Sequence, residues 1–266
     1  MKEDGSSRAG RLFGQVAIVT GGAGGLGSAI CRALANEGAT VVVGYHRSPE
    51  KARALVAELM DTASAAPEHL ALATPVTESA ALKVLADEIE RRVGRLDILV
   101  NCAGTTRFVP HANLDALDDV LIDDILATNV RGPLAMVRAL RHLLARNASA
   151  EKRPGLVVNI SSIAAVTAMG SNVIYCASKA ALDNLTKSLA RALAPAIRVV
   201  SVSPGLVDTE FVKKMDANWR ADQVTHTPLA RLATPADVAA AVVATATHFT
   251  FSTGSVFAVD GGRPLV

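Results

Sequence analysis

The chain has 266 residues, of which half are hydrophobic, a fifth charged and 3% aromatic. That composition excludes disorder as the main state, and at roughly 100–200 residues per domain the length allows one large domain or two small ones. A formal charge of +2, few aromatics and three scattered cysteines (Cys31, Cys102, Cys176) exclude a basic nucleic-acid footprint, a disulfide framework and a zinc knuckle.

Residues 1–12 are polar and lack the apolar stretch of a signal peptide, so they read as a flexible tail. No run reaches the roughly 18 apolar residues that a membrane span requires. With cysteines suited to a reducing compartment, the expected location is cytoplasmic. Residues 13–266 show no linker, repeat or shift of composition and read as a single domain. Short apolar runs alternate there with helical periodicity. The runs are Val16–Thr20, Thr40–Val43, Leu70–Leu72, Leu96–Asn101, Leu156–Ser161, Ile197–Ser203 and Ser255–Val259. Several are nearly continuous in Val and Ile, as strands covered on both faces should be. The alternation predicts an α/β fold: a Rossmann-type, doubly wound sheet of about seven mostly parallel strands with helices on both faces, in three layers.

The first run leads directly into Gly21-Gly22-Ala23-Gly24-Gly25-Leu26-Gly27, and Leu26, Ile30, Ala33 and Leu34 then share one helix face. Glycines at a strand-to-helix turn let the backbone approach a ligand, and the helix N-terminus offers free N–H groups to a pyrophosphate. After the second run, no acid occurs from Gly38 to Pro49, where Tyr45, His46, Arg47 and Ser48 stand instead. Thr62–Pro67 is the expected flexible loop. A helical region at about 115–147 carries Asn129 amid clusters of Asp and Arg that read as solvated faces.

The fifth run ends beside Ser162, at the carboxyl edge of the predicted sheet, where open α/β sheets bind ligands. Tyr175 and Lys179 are four residues apart on one face of a long helical pattern that continues through Leu182, Leu185, Leu189 and Leu193. An ammonium beside a phenol favours the phenolate, so such a tyrosine is expected to exchange a proton near working pH. Residues 205–230 read as a polar, irregular lid. The expected substrate pocket combines Thr105, Ile163, Met169, Leu206 and Phe211, a mostly apolar set. The six histidines show no metal-ligand spacing, and no metal is expected.

Several motifs in this order resemble those of the short-chain dehydrogenase/reductase family, over residues 13–262. Thr20 to Gly27 resembles its cofactor turn. Asn101-Cys102-Ala103-Gly104 resembles its N-N-A-G motif, with Cys102 in place of the second asparagine. Asn129 falls at the family's helix asparagine, and Asn159-Ile160-Ser161-Ser162 resembles its serine motif, with the spacing to Tyr175 selecting Ser162. Pro204-Gly205 and Thr209 resemble the segment that meets the nicotinamide, and Val259-Asp260-Gly261-Gly262 resembles the family's ending. Two further departures are Pro75-Val76, where the family has Asp-Val and an aspartate that bonds adenine, and Val200, where asparagine is usual.

The resemblance implies an enzyme that interconverts a ketone, or a 3-oxoacyl group, and a secondary alcohol by hydride transfer. It implies Tyr175 as general acid/base and Ser162 as the holder of the reacting oxygen. It implies Lys179 as the group that tunes the tyrosine and binds the ribose, and Asn129 as the residue that kinks its helix and holds a relay water. It implies cofactor contacts from Gly21, Gly24, Gly25, Leu26, Tyr45, His46, Arg47, Ser48, Val76, Asn101, Ala103, Gly104, Tyr175, Lys179, Pro204, Gly205, Val207 and Thr209. Tyr45 stands where the family's NAD-users carry aspartate, and Arg47 offers a fork for phosphate oxygens, so NADP(H) is favoured over NAD(H). The substrate is expected to be a small neutral carbonyl or alcohol, and the expected assembly is a homotetramer, with a dimer as fallback. The alternatives are an NAD-dependent secondary-alcohol dehydrogenase of the same family and a dinucleotide-binding protein without turnover. The presence of Asn129, Ser162, Tyr175 and Lys179 together argues against the second.

Overall fold

A computed structural model describes residues 10–61, 68–150 and 153–266. The expected loop at Thr62–Pro67 and most of the expected tail lie outside the described residues. Leu12 lies inside them and is 1% exposed, with its amide bonded to the Glu37 carbonyl. The packed body therefore takes in the last part of the segment assigned to the tail.

In chain order the elements are β1 (Val16–Val19), α1 (Gly25–Asn36), β2 (Thr40–Tyr45), α2 (Pro49–Asp61), β3 (Leu70–Ala73), α3 (Ser79–Val93) and β4 (Ile98–Asn101). There follow α4 (Asp119–Leu126), a π-helical turn over Ala127–Arg131, α5 (Gly132–Ala150), β5 (Gly155–Ile160), α6 (Ala164–Thr167), α7 (Val173–Leu193) and β6 (Ile197–Pro204). The chain ends with α8 (Glu210–Lys213), α9 (Ala217–Thr225), α10 (Pro235–Thr247) and β7 (Val256–Val259). All seven expected strands form, with no bound shifted by more than two residues.

The strands make one sheet in the order β3-β2-β1-β4-β5-β6-β7, and every pairing is parallel rather than mostly so. Alternate residues of each strand feed two cores. Ala17, Val19, Val41 and Val43 pack with Ile30 and Leu34 of α1, Leu55 of α2 and Val238 and Val242 of α10. Val16, Ile18, Leu99 and Val157 pack with Leu82 and Ile89 of α3 and with Met136 and Leu140 of α5. Helices thus cover both faces. The strand order reverses between β1 and β4, which opens a crevice at the carboxyl ends of the strands.

One segment departs from expectation, and one helix was unassigned from the sequence. The segment at 205–230 contains α8 and α9 rather than irregular chain. Asp216 starts α9 by accepting from the Trp219 amide, while Val207 bridges Ala233. The apolar run after Thr234 forms α10. Its signal was a capping box with proline at the first turn: the Thr234 hydroxyl accepts from the Asp237 amide, and the Asp237 carboxylate accepts from the Thr234 amide.

Candidate active site

The glycine turn lies at the crevice. Gly21 has φ +64°, a left-handed conformation that suits glycine, and a Cβ there would lie 3.1 Å from the Ala103 Cα. At Gly27 a Cβ would meet the Gly21 carbonyl oxygen at 2.2 Å, so the helix packs on its own turn only through glycine. Gly24 and Gly25 are exposed, and nothing lies within 4 Å of a Cβ placed on Gly25. The N-cap Gly24 contributes no side-chain bond and the first turn of α1 has no acid, so the helix itself supplies no anion to its first amides. Leu26 is half-buried beside them. An uncapped, uncrowded helix N-terminus fits a pyrophosphate group.

Thr20 holds the opposite wall. Its hydroxyl oxygen accepts from the amides of Cys102 and Ala103, both at 3.0 Å. Position 102 is fixed through its backbone, which explains why cysteine serves there in place of asparagine. Asn101 is 3% exposed and donates to Asn159 at 2.8 Å, and Asn159 donates to Thr186 at 2.8 Å, joining β4, β5 and α7 below the crevice. Burial pushes the Cys102 thiol up to about 12, and it raises those of Cys31 and Cys176 as well. All three thiols are thereby held protonated, which fits packing rather than redox chemistry.

The four expected catalytic residues come from three parts of the chain, and the contacts bring Asn129, Tyr175 and Lys179 together. Asn129 lies in the π-helical turn, 1% exposed. Its Oδ1 accepts from the Thr105 amide at 2.9 Å, and its Nδ2 donates to the Thr105 carbonyl at 3.0 Å and to Ser178 Oγ at 3.1 Å. π-Helical turns of this kind are frequent at functional sites. Lys179 is 6% exposed; its Nζ donates to the Ile160 carbonyl at 2.8 Å and lies 5.7 Å from the centre of the Tyr175 ring. A Cβ on Gly104 would stand 3.4 Å from Asn129 Oδ1 and 3.9 Å from Lys179 Nζ, so these three positions meet. Ser161 is buried, whereas Ser162, half-buried, accepts from the Ala164 amide at 3.2 Å. A phenol beside an ammonium can deliver a proton to a carbonyl oxygen, and Ser162, which follows the carboxyl end of β5, offers a hydroxyl at the same edge of the sheet.

Tyr45 is half-buried at the end of β2, His46 and Arg47 are exposed, and Ser48 is half-buried. Val76 is 8% exposed, and a Cβ on Gly132 would stand 3.0 Å from its Cγ2. Pro204 is buried at the end of β6, and Gly205, Val207 and Thr209 follow it, half-buried. Among the pocket residues, Thr105, Ile163 and Leu206 are half-buried and Met169 is 55% exposed. The side chain of Phe211 lies outside the described residues.

Three contributors had escaped the sequence reading. Thr20 holds the Cys102–Ala103 turn, Ser178 links Asn129 to the Tyr175 carbonyl, and Asn172 starts α7. Only Asn172 carried a signal, as a capping residue three positions before Tyr175.

The family model for short chain dehydrogenases matches residues 15–220. Cis-4-hydroxycyclohexanecarboxylate dehydrogenase of Sinomonas cyclohexanicum is 36% identical over 257 residues, covering 95% of this chain and 97% of the relative. A crystal structure of gluconate 5-dehydrogenase from Burkholderia cenocepacia, in complex with NADP and tartrate, superposes with a TM-score of 0.86 at 30% identity. It covers 96% of this chain and 97% of its own. That of a 3-ketoacyl-(acyl-carrier-protein) reductase from Brucella melitensis, complexed with NADH, gives 0.84 at 30% identity over 95% and 99% of the two chains.

Proposed function

The chain belongs to the short-chain dehydrogenase/reductase family of oxidoreductases, and from that premise we propose that it interconverts a neutral ketone, or a 3-oxoacyl group, and a secondary alcohol with NADP(H). The observation that carries this reading is the meeting of Gly104, Asn129 and Lys179 beside Tyr175 at the crevice.

The nicotinamide cofactor supplies the hydride when bound. Gly24, Gly25 and Leu26 receive its pyrophosphate on the first amides of α1. In the reductive direction Tyr175 donates its phenolic proton to the carbonyl oxygen, and Ser162 Oγ donates a hydrogen bond to that oxygen. Lys179 commits one N–H to the Ile160 carbonyl. That bond orients the ammonium and leaves two donors for ribose hydroxyls. Asn129, whose side chain is spent on Thr105 and Ser178, keeps the π-helical turn in place for a relay water. The half-buried apolar walls at Ile163 and Leu206 favour an uncharged substrate.

Arg47 and Ser48 would supply donors to a ribose 2′-phosphate, and no acid stands between Gly38 and Pro49 to repel it. Hydrogen bonds to a charged group contribute about 1.5–3 kcal/mol, or roughly 10–150-fold in affinity. The test is a panel of cyclohexanone, ethyl acetoacetate and a 3-oxoacyl thioester with NADPH and with NADH. The expected kcat/KM ratio of NADPH over NADH is roughly 10 or more, falling by a comparable factor in Arg47→Ala. A ratio below one refutes the preference. A high ratio unchanged in Arg47→Ala removes Arg47 as its cause.

The assembly we propose is a homotetramer. The edge strand β7 leaves Val256 and Ala258 exposed, and Phe251 beside it is fully exposed. An open apolar edge is a pairing surface. Light scattering at micromolar concentration is expected to give four times the chain mass; a stable monomer refutes the claim.

A further inference from the structure

We propose that Asn172 is a positioning residue that ties the substrate loop to the proton donor, so that loop and Tyr175 are set by one buried amide. The inference rests on Tyr175 being that donor.

Asn172 is 0% exposed. Its Oδ1 accepts from the backbone amide of Tyr175 at 2.7 Å, which starts α7 at the turn that presents the phenol. Its Nδ2 donates to the Arg107 carbonyl at 2.7 Å and to Thr106 Oγ1 at 3.2 Å. Residues 105–111 form no helix or strand, so their place depends on such ties. Asn129 holds one end at Thr105. Asn172 holds the next two residues. The adjoining Ser171 and Gly170 continue the seam: Ser171 Oγ lies 2.5 Å from Thr106 Oγ1, the Ser171 carbonyl accepts from the Val109 amide at 2.8 Å, and the Gly170 carbonyl meets His111 Nε2 at 3.2 Å.

The residue type fits the double task. Serine, threonine and aspartate all cap helices well, but none has the two amide protons that the loop takes up. In a fully buried position each of those protons needs an acceptor, and both have one. The cap and the loop tie therefore cannot separate without leaving a buried polar group unpaired.

Asn172→Ser and Asn172→Ala separate them experimentally. Serine retains a cap acceptor for the Tyr175 amide and loses the reach to the loop, whereas alanine loses both. Hydrogen exchange reads the effect without any substrate, at the Tyr175 amide, which bonds Asn172 itself, and at the Val109 amide, which bonds the Ser171 carbonyl in the same seam and reports the order of the loop. In Asn172→Ser exchange at Val109 is expected to quicken roughly tenfold while Tyr175 stays protected, and in Asn172→Ala both quicken. With ethyl acetoacetate and NADPH, Asn172→Ser is expected to raise KM with kcat little changed. Asn172→Ala is expected to lower kcat further, by roughly 2- to 30-fold, the range that loss of one helix cap corresponds to. Unchanged exchange at Val109 in Asn172→Ser overturns the tie, as does a fall in melting temperature with KM and kcat unaltered in both variants. Tyr175→Phe assayed alongside keeps the two claims apart. If it is inactive while both Asn172 variants behave as wild type, the tie alone fails. If it remains active, the assignment of the donor fails.

Discussion

Tyr175→Phe is expected to lower turnover of the best ketone by roughly 10²–10⁴-fold, the usual contribution of a positioned acid. The substitution deletes one hydroxyl and leaves the rest of the local structure in place. The backbone amide of Tyr175 bonds Asn172 and its carbonyl accepts from Ser178 Oγ, and neither contact uses the phenol. The ring that lies 5.7 Å from Lys179 Nζ is also kept. Melting temperature and NADPH affinity should therefore match wild type, because the glycine turn and Lys179 are untouched. A variant that retains more than about a tenth of wild-type turnover, in a reaction limited by chemistry, would remove Tyr175 from the proposed role.

The second large effect separates two glycines only two residues apart. Gly27→Ala places a Cβ 2.2 Å from the Gly21 carbonyl oxygen, a backbone atom that cannot swing aside. Overpacking of this kind costs about 1–3 kcal/mol and occasionally more, so melting should fall by about 6–12 °C at the upper figure. Gly25→Ala meets nothing within 4 Å. It should melt at or above the wild-type temperature, because alanine restricts the unfolded chain. Yet its methyl group would stand at the start of α1, where the proposed pyrophosphate site lies. NADPH affinity should fall by roughly 10–150-fold, the equivalent of one charge-assisted hydrogen bond, as read by fluorescence titration. If Gly25→Ala binds NADPH as tightly as wild type, the start of α1 is not the pyrophosphate site. If Gly27→Ala melts unchanged, the close packing at Gly21 is not what demands glycine.

The strands, their parallel pairing and the three layers were legible in the sequence because each rests on a local pattern repeated several times. Val16 to Val19 and Leu156 to Ile160 are apolar at every or nearly every position, and a strand buried on both faces permits little else. The glycine turn was legible for a similar reason, since few residues other than glycine can occupy a backbone that close to itself. The catalytic candidates were visible as a spacing, Tyr175 and Lys179 one helical turn apart, and as a motif resemblance at Asn129 and Ser162. The region at 205–230 reads as irregular because α8 and α9 are short and polar, and the start of α9 at Asp216 is a single capping bond with little periodicity behind it. Only the tertiary structure decided what holds the site together. The Asn129 amide is closed by Thr105 and Ser178, Lys179 is oriented by the Ile160 carbonyl, and Asn172 joins positions 106, 107 and 175. Apart from the local cap between Asn172 and Tyr175, those bonds link residues 19 to 66 positions apart, mostly through backbone groups that every residue carries. A sequence records which side chains are present, but not which distant carbonyl or amide each will reach once the sheet has brought them within 3 Å.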